Sequence, residues 1–342
     1  MMKKWFKSAA ILLVALATGL GTAQAAEWNF YGSARMETFI TDTDNGTSST
    51  TEFSEELQSN ARIGAKVTVS DSISARFEYG SKSSGVNLRQ LWGEWNFGKG
   101  RLLVGQTYTP IYATYSATVF DSGRGLEKYG AISASRQPMI RLSFGGLQLA
   151  AVEPESKVLT GTTTSETHMP KLEAGYTMKF NSGSVKCVAG YNTYELDNTH
   201  DVDSWVVGIG GKFEFGPAFL AGSVYTGQNL GPYGFKNSPA DDPKISGSTV
   251  VDNESVGYTF IAGYKVNDMV TLEAGYGYTE SEMDESGSKE DDASQYYLQA
   301  KLTLGTGVYI VPEIGFVDEG KDSTGAQEDE ITYYGAKWQI NF

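Results

Sequence analysis

Cysteine is almost missing: Cys187 is the single one in 342 residues, which excludes an internal disulfide framework and a cysteine-rich metal site. Histidine is nearly as scarce. His168 and His200 are the two, both in expected loops, and neither stands beside a serine or cysteine arranged as a nucleophile. The sequence therefore gives no reason to expect an enzyme, a cofactor or a metal site. Positive charge is also short, with 27 Lys plus Arg against 41 Asp plus Glu and a net charge of -14. That balance speaks against a nucleic-acid partner. Beyond the first two dozen residues no apolar run approaches the roughly 18 residues of a spanning helix, and mean hydropathy is -0.29. A helical membrane protein is excluded.

The opening residues read as an export address. Lys3, Lys4 and Lys7 precede the apolar stretch Ala9 to Leu20, and Ala23-Gln24-Ala25 supplies small residues for cleavage. Residues 1–25 are expected to be a removed secretory signal and 26–342 a single domain. Loss of the three lysines takes the net charge to -17.

What is abundant is alternation of period two. Val256, Tyr258, Phe260, Ala262, Tyr264 and Val266 alternate with small or polar partners, Ile261 being the exception. Leu172 to Phe180 and Val270 to Tyr278 repeat the pattern, so each strand has one apolar and one polar face. Sixteen such segments begin near residues 28, 57, 73, 87, 100, 136, 147, 171, 184, 204, 218, 255, 269, 294, 307 and 330. Tight-turn residues such as Gly145-Gly146 and Asn267-Asp268 join alternate pairs. Longer links lie near 41–56, 81–86, 109–135, 154–170, 196–203, 227–254, 280–293 and 318–329. Short turns on one side and long loops on the other are the rhythm of an outer-membrane barrel. Lipid offers no hydrogen-bond partners to a sheet edge, so the sheet must close. The expected fold class is all-β, a transmembrane antiparallel β-barrel of sixteen strands.

Aromatic placement gives a second measure of depth. Trp28, Phe30, Trp95, Phe97, Phe144, Phe180, Phe215 and Phe342 sit near chain ends or short turns, whereas Tyr79, Tyr191, Tyr258, Tyr278, Tyr296 and Tyr334 lie toward the long loops. Two belts suit a bilayer with two interfaces. Cys187 falls among apolar positions and reads as a lipid-facing or packing residue.

The chain ends Tyr334-Gly335-Ala336-Lys337-Trp338-Gln339-Ile340-Asn341-Phe342, which resembles the C-terminal signature of Gram-negative outer-membrane proteins. That resemblance implies reading of Phe342 by the barrel-assembly machinery. Val104-Gly105-Gln106-Thr107-Tyr108-Thr109-Pro110 looks like the end of strand five of the general diffusion porins, and Ser135-Arg136-Gln137-Pro138-Met139-Ile140-Arg141 like their return into strand six. The sequence thus resembles the trimeric general porins over essentially the whole mature chain. The resemblance implies a homotrimer in the outer membrane that passes small hydrophilic solutes and ions by diffusion.

Residues 109–135 form a 27-residue link rich in Ile111, Tyr112, Tyr115, Val119, Phe120, Leu126 and Tyr129. Long loops inside compact folds signal function, and these side chains suit packing on a wall. By resemblance the link is a constriction loop folded into the lumen, with Asp121 and Glu127 as its acidic residues and Arg124 and Lys128 departing from a simple acidic loop. The family's facing ladder of basic residues would be Arg35, Arg62, Arg76 and Arg89. The first three alternate cleanly onto the lumen face with Glu37, Glu78, Lys66 and Glu94, while the register of Arg89 is open. Opposed charges across a narrow wet gap would orient polar solutes and tune ion selectivity.

Residues 41–56, 280–293 and 318–330 hold eighteen acidic residues and only Lys289 and Lys321, so the excess negative charge belongs to the outer mouth, near lipid and lipopolysaccharide. No ligand spacing of a calcium loop occurs there. Two other readings stay open: a substrate-specific channel with an aromatic track, and a plugged structural or adhesive barrel.

Overall fold

The computed structural model describes residues 26–82, 85–237, 239 and 241–342. The expected signal, residues 1–25, lies outside them. Sixteen strands form the wall: β1 (Glu27–Asp44), β2 in two pieces (Ser49–Leu57 and Arg62–Ser70), β3 (Ile73–Lys82), β4 (Gly85–Asn96), β5 (Arg101–Tyr108), β6 (Arg136–Phe144), β7 (Leu147–Val152) and β8 (Lys171–Phe180). They continue as β9 (Gly183–Leu196), β10 (His200–Phe215), β11 (Ala218–Gln228), β12 (Asn253–Lys265), β13 (Val270–Met283), β14 (Asp291–Gly305), β15 (Val308–Asp318) and β16 (Glu330–Asn341). Each is antiparallel to the next.

The ring closes where β1 pairs with β16, from Ser33 opposite Asn341 to Asp44 opposite Glu330. Gly32 and Phe342 add a reciprocal backbone pair, each amide donating to the other's carbonyl at 2.7 and 3.1 Å. Closure satisfies both edges of the sheet, the condition lipid imposes.

The faces sort as the alternation predicts, but inside out relative to a soluble protein. Tyr258, Phe260 and Tyr264 of β12 are exposed on the outer surface, as are Leu172, Tyr176 and Phe180 of β8. Cys187 is exposed on the same face, opposite Tyr176 in the ladder. Ile261, the exception in its strand, points inward and is buried. At the short-turn end Trp95, Phe97 and Phe144 touch in sequence, with centroids 5.5 and 6.1 Å apart. Toward the long loops Tyr258 meets Tyr276 and Tyr278.

Three expectations about links need correction; at 81–86, expected to be a longer link, the strands stay paired with Ser81 opposite Val86 and Lys82 opposite Gly85. The link at 41–56 is mostly strand, because β1 and β2 stay paired up to Asp44 opposite Ser49, leaving residues 45–48 as the turn. The one at 196–203 likewise shrinks to 197–199. Beyond the bilayer these segments satisfy their backbone groups by continuing the ladder, so the outer mouth is partly built of ribbon. The expected start of the second strand near 57 is in fact its interior.

Candidate functional site

The link between β5 and β6 turns inward and spreads over the inner wall. Its neck is a short ladder of Tyr112–Ala113 with Ile132–Ser133. From there its apolar residues are buried in two clusters. Val119, Leu126 and Tyr129 pack with Phe39, Tyr297, Val311, Val317 and Tyr333 of the wall, and Phe120 stacks on Tyr333 at 3.8 Å. Ile111, Ala113, Ile132 and Ala134 pack with the inward residues Val188, Val206 and Tyr225. Gly130, with φ of 88°, lies so close to the carbonyl oxygens of Tyr258 and Tyr278 that no side chain would fit.

Polar anchoring is done by four inward glutamates. Glu173 of β8 accepts the Ile111 amide at 3.1 Å and Glu273 of β13 the Ala117 amide at 2.7 Å. Glu313 of β15 accepts the amides of Val119 at 2.7 Å and Phe120 at 3.2 Å, and the Thr118 hydroxyl at 2.6 Å. Glu37 of β1 accepts the Ser122 amide at 3.2 Å. A loop inside a barrel has no neighbouring strand for its N–H groups, and carboxylates supply strong acceptors instead.

The interruption of β2 belongs to the same docking. Gln58 leaves the ladder and donates to Glu37 at 2.8 Å and to the Val119 carbonyl at 2.9 Å. Asn60 donates to the Ser122 carbonyl at 2.5 Å. The sequence Leu57-Gln58-Ser59-Asn60-Ala61 does not alternate, so the strand is broken where the loop lands. Opposite it Asp121 and Ser122 both take left-handed backbone, with φ of 46° and 60°, a conformation that non-glycine residues hold only when their surroundings fix it.

The arginine ladder meets at one carboxylate. Arg89 donates from Nε to Glu78 Oε1 at 2.7 Å, Arg76 from Nη2 to Oε2 at 2.8 Å, and Arg62 Nη1 lies 3.5 Å from Oε1. The register of Arg89, open in the sequence, is decided by a β-bulge: opposite Glu78–Tyr79 the ladder steps from Gln90 to Leu88. Both Arg89 and Gln90 are thereby turned inward and buried. Arg35 is oriented by Ser33, its Nε donating to Oγ at 2.9 Å.

A cavity of about 490 Å³ lies against this group and the loop. Its charged lining is Arg35, Arg62, Arg89, Arg124, Arg136, Lys236 and Glu127. Of the expected site residues the structure thus brings together Arg35, Arg62, Arg89 and Glu127. Arg76 is not in that lining: it donates to Tyr31 as well as Glu78. Asp121 faces a second cavity, of about 310 Å³, that it shares with Glu37, Glu56 and Glu319. There Lys128 approaches it at 3.4 Å and Arg124 at 3.9 Å. Glu127 borders both cavities. Burial pushes its carboxyl upward, opposed by Arg136, Ser133, Arg124 and Lys236.

Lys236 was not legible as a site residue. It comes from the link between β11 and β12, which also folds inward. A helical turn, Leu230–Tyr233, buries Leu230 and Tyr233, and Phe235 just beyond it is buried with them, against Ile111, Ala113 and Ile132 of the first loop. The wall fixes it through Lys171, which donates to the Tyr233 carbonyl at 2.9 Å, and Asn192, which donates to Pro232 at 3.3 Å. The Lys236 amide then donates to the Ser133 carbonyl at 2.9 Å. The signal available was the run Leu230-Gly231-Pro232-Tyr233-Gly234-Phe235, apolar for a long outer loop.

A closed sixteen-strand wall, lipid-facing outside and polar within, matches known sequences and structures. A sequence model of the Gram-negative porin family matches residues 9–322. The chain belongs to that family. This porin lies in the outer membrane and forms a diffusion channel there. No curated protein sequence matches it. Among solved structures, the outer-membrane channel DcaP of Acinetobacter baumannii superposes with a TM-score of 0.79 at 17% identity, covering 94% of this chain and 99% of that one. An anion-selective porin from Comamonas acidovorans gives 0.63 at 12% identity over 93% and 100%. OmpF of Salmonella typhi gives 0.63 at 14% over 92% and 97%. At such identities the likeness is one of fold.

Proposed function

We propose that the porin passes small hydrophilic solutes and ions through a narrowing set by residues 109–135, with the cavity beside Arg35, Arg62 and Arg89 as the tightest part of the route. The observation that carries this reading is the anchoring of the loop to Glu37, Glu173, Glu273 and Glu313, which holds it against the inner wall beside an open, polar-lined cavity on its basic side. Glu127 supplies a carboxylate facing the arginines. Arg76 and Asp121 act at the margins of the passage, Arg76 by holding Glu78 and Asp121 by holding Lys128. Transport by this route needs no covalent step.

The mature chain begins after residue 25 in this reading, Phe342 is read during barrel assembly, lipopolysaccharide surrounds the acidic outer mouth, and three copies assemble. Planar-bilayer reconstitution tests the core of it. Large stepwise conductance is expected, with a larger step and a larger exclusion size when residues 114–130 are replaced by a short glycine-serine link. A silent bilayer would overturn the channel itself. An unchanged step in the shortened variant would place the narrowing elsewhere.

A further inference from the structure

We propose that the cavity of about 490 Å³ is a binding station for small solutes carrying two or more negative charges, with Lys236 and Arg136 as specificity-determining residues. The proposal rests on the reading that this cavity lies on the permeation route. Six cationic side chains line it against the single carboxylate of Glu127. They do not come from one surface patch. Arg35, Arg62 and Arg89 stand on the wall strands β1, β2 and β4, Arg124 on the first inward loop, Arg136 at its return to the wall, and Lys236 on the second inward loop. Both the wall side and the loop side are therefore positive, and what an anion would meet is an enclosure rather than a gradient.

The geometry is also preset. Glu78 holds Arg89 and Arg62, and Ser33 holds Arg35. Arg136 donates to the Tyr108 hydroxyl at 2.7 Å and lies 4.9 Å from the centre of that ring. The Lys236 amide is tied to Ser133. Glu78 offsets part of the wall charge, and Asp121 draws on Arg124 from the other cavity at 3.9 Å. The excess that remains is positive, at several sites around one small volume. Like charges gathered in a restricted space repel, and an occupant that reaches two or more of them relieves more repulsion than a single chloride can. Carboxylate and phosphate groups share the planar or tripod oxygen arrays that guanidinium forks match. A cavity of this size is within the usual range for small-molecule sites.

The test uses the full mature protein in planar bilayers, with inorganic pyrophosphate and citrate as probes and sucrose as the uncharged control. Chloride is expected to carry more current than potassium across a salt gradient. Pyrophosphate and citrate should reduce the chloride current in a saturable way at fixed ionic strength, and sucrose should not. Lys236→Gln and Arg136→Gln should each raise the half-blocking concentration by about tenfold, while Lys236→Arg retains the block. A response to pyrophosphate alone would assign the site to phosphates, and to citrate alone, to carboxylates. Potassium-preferring current, or a block that never saturates and ignores both glutamine variants, would overturn the proposal while leaving the channel intact. Absence of any conductance would instead overturn the channel reading on which it rests.

Discussion

The loop at 109–135 has cavities on two sides, and they differ in sign. On one, Arg35, Arg62, Arg89, Arg124, Arg136 and Lys236 face Glu127 alone. On the other, Glu37, Glu56, Asp121, Glu127 and Glu319 face Arg124 and Lys128. Arg124 and Glu127 border both, so a single layer of chain separates an acidic recess from a basic one. The two also differ in how their charges are used. Glu37 on the acidic side is occupied by Gln58 and the Ser122 amide, and Asp121 by Lys128 and Arg124. On the basic side, among the described residues, Arg124, Arg136 and Lys236 have no carboxylate of the wall paired with them as Glu78 is with Arg62, Arg76 and Arg89. The net charge of the chain therefore says little about what passes, because most of the acid lies at the outer mouth or holds structure.

The strongest way to break this contrast is to discharge the basic side. Arg35→Gln with Arg62→Gln is expected to move the chloride-to-potassium permeability ratio severalfold toward potassium, read as the reversal potential in a salt gradient. An unchanged potential would remove these arginines from the passage. Loosening the partition comes next. Glu313→Gln keeps the shape but replaces one of the two acceptor oxygens that hold Val119 and Phe120 by an amide that cannot accept, at a cost of about 2 kcal/mol in loop docking. Noisier single-channel current with a raised mean step should follow, and a quiet trace of native size would show that the loop does not depend on this carboxylate.

Discharging the acidic side should do much less. Asp121 is about half exposed and its partners Lys128 and Arg124 are equally so, and such pairs contribute about 0–1 kcal/mol. Asp121→Asn is thus expected to leave both stability and reversal potential nearly unchanged. A shift as large as that of the arginine pair would erase the distinction between the cavities.

The smallest effect concerns pH and the second inward loop. Burial, with Asp242 beside it, raises the Asp241 carboxyl to about 7 from an ordinary 3.8. Between those values the docked loop retains a proton that the undocked loop has lost. Docking therefore weakens as pH rises through that window and is level above about 7. Proteolysis within residues 229–252 should be several-fold faster at about pH 7 than at about pH 5, and Asp241→Asn should flatten the dependence. Equal rates in the native protein would show that Asp241 does not govern the docking.

The wall was legible because its signal is local. Leu172 to Phe180 and Val256 to Val266 carry their own period, so strand number and the inward or outward face of most residues follow from neighbours two positions away. The same rule put Glu37, Glu78, Glu173 and Glu273 on polar faces, yet gave no partner for any of them. It failed where the period is broken: at Gln58 to Ala61, which leave the ladder to hold the loop, and at Arg89, which a bulge turns inward beside Gln90. Lys236 was beyond it altogether, since the apolar run Leu230 to Phe235 has no period of two and hints only that its loop is buried, not that Lys236 reaches the arginines.

By itself the sequence determined a closed antiparallel wall of sixteen strands, greasy toward lipid, with the acid concentrated at the long-loop end. Only the tertiary structure decided which inward charges meet. Val119 and Glu313 are 194 positions apart, Ile111 and Tyr233 come from different links, and whether such groups touch depends on shear, bulges and loop packing around the whole ring. Those are properties of closure, and no window of neighbouring residues contains them.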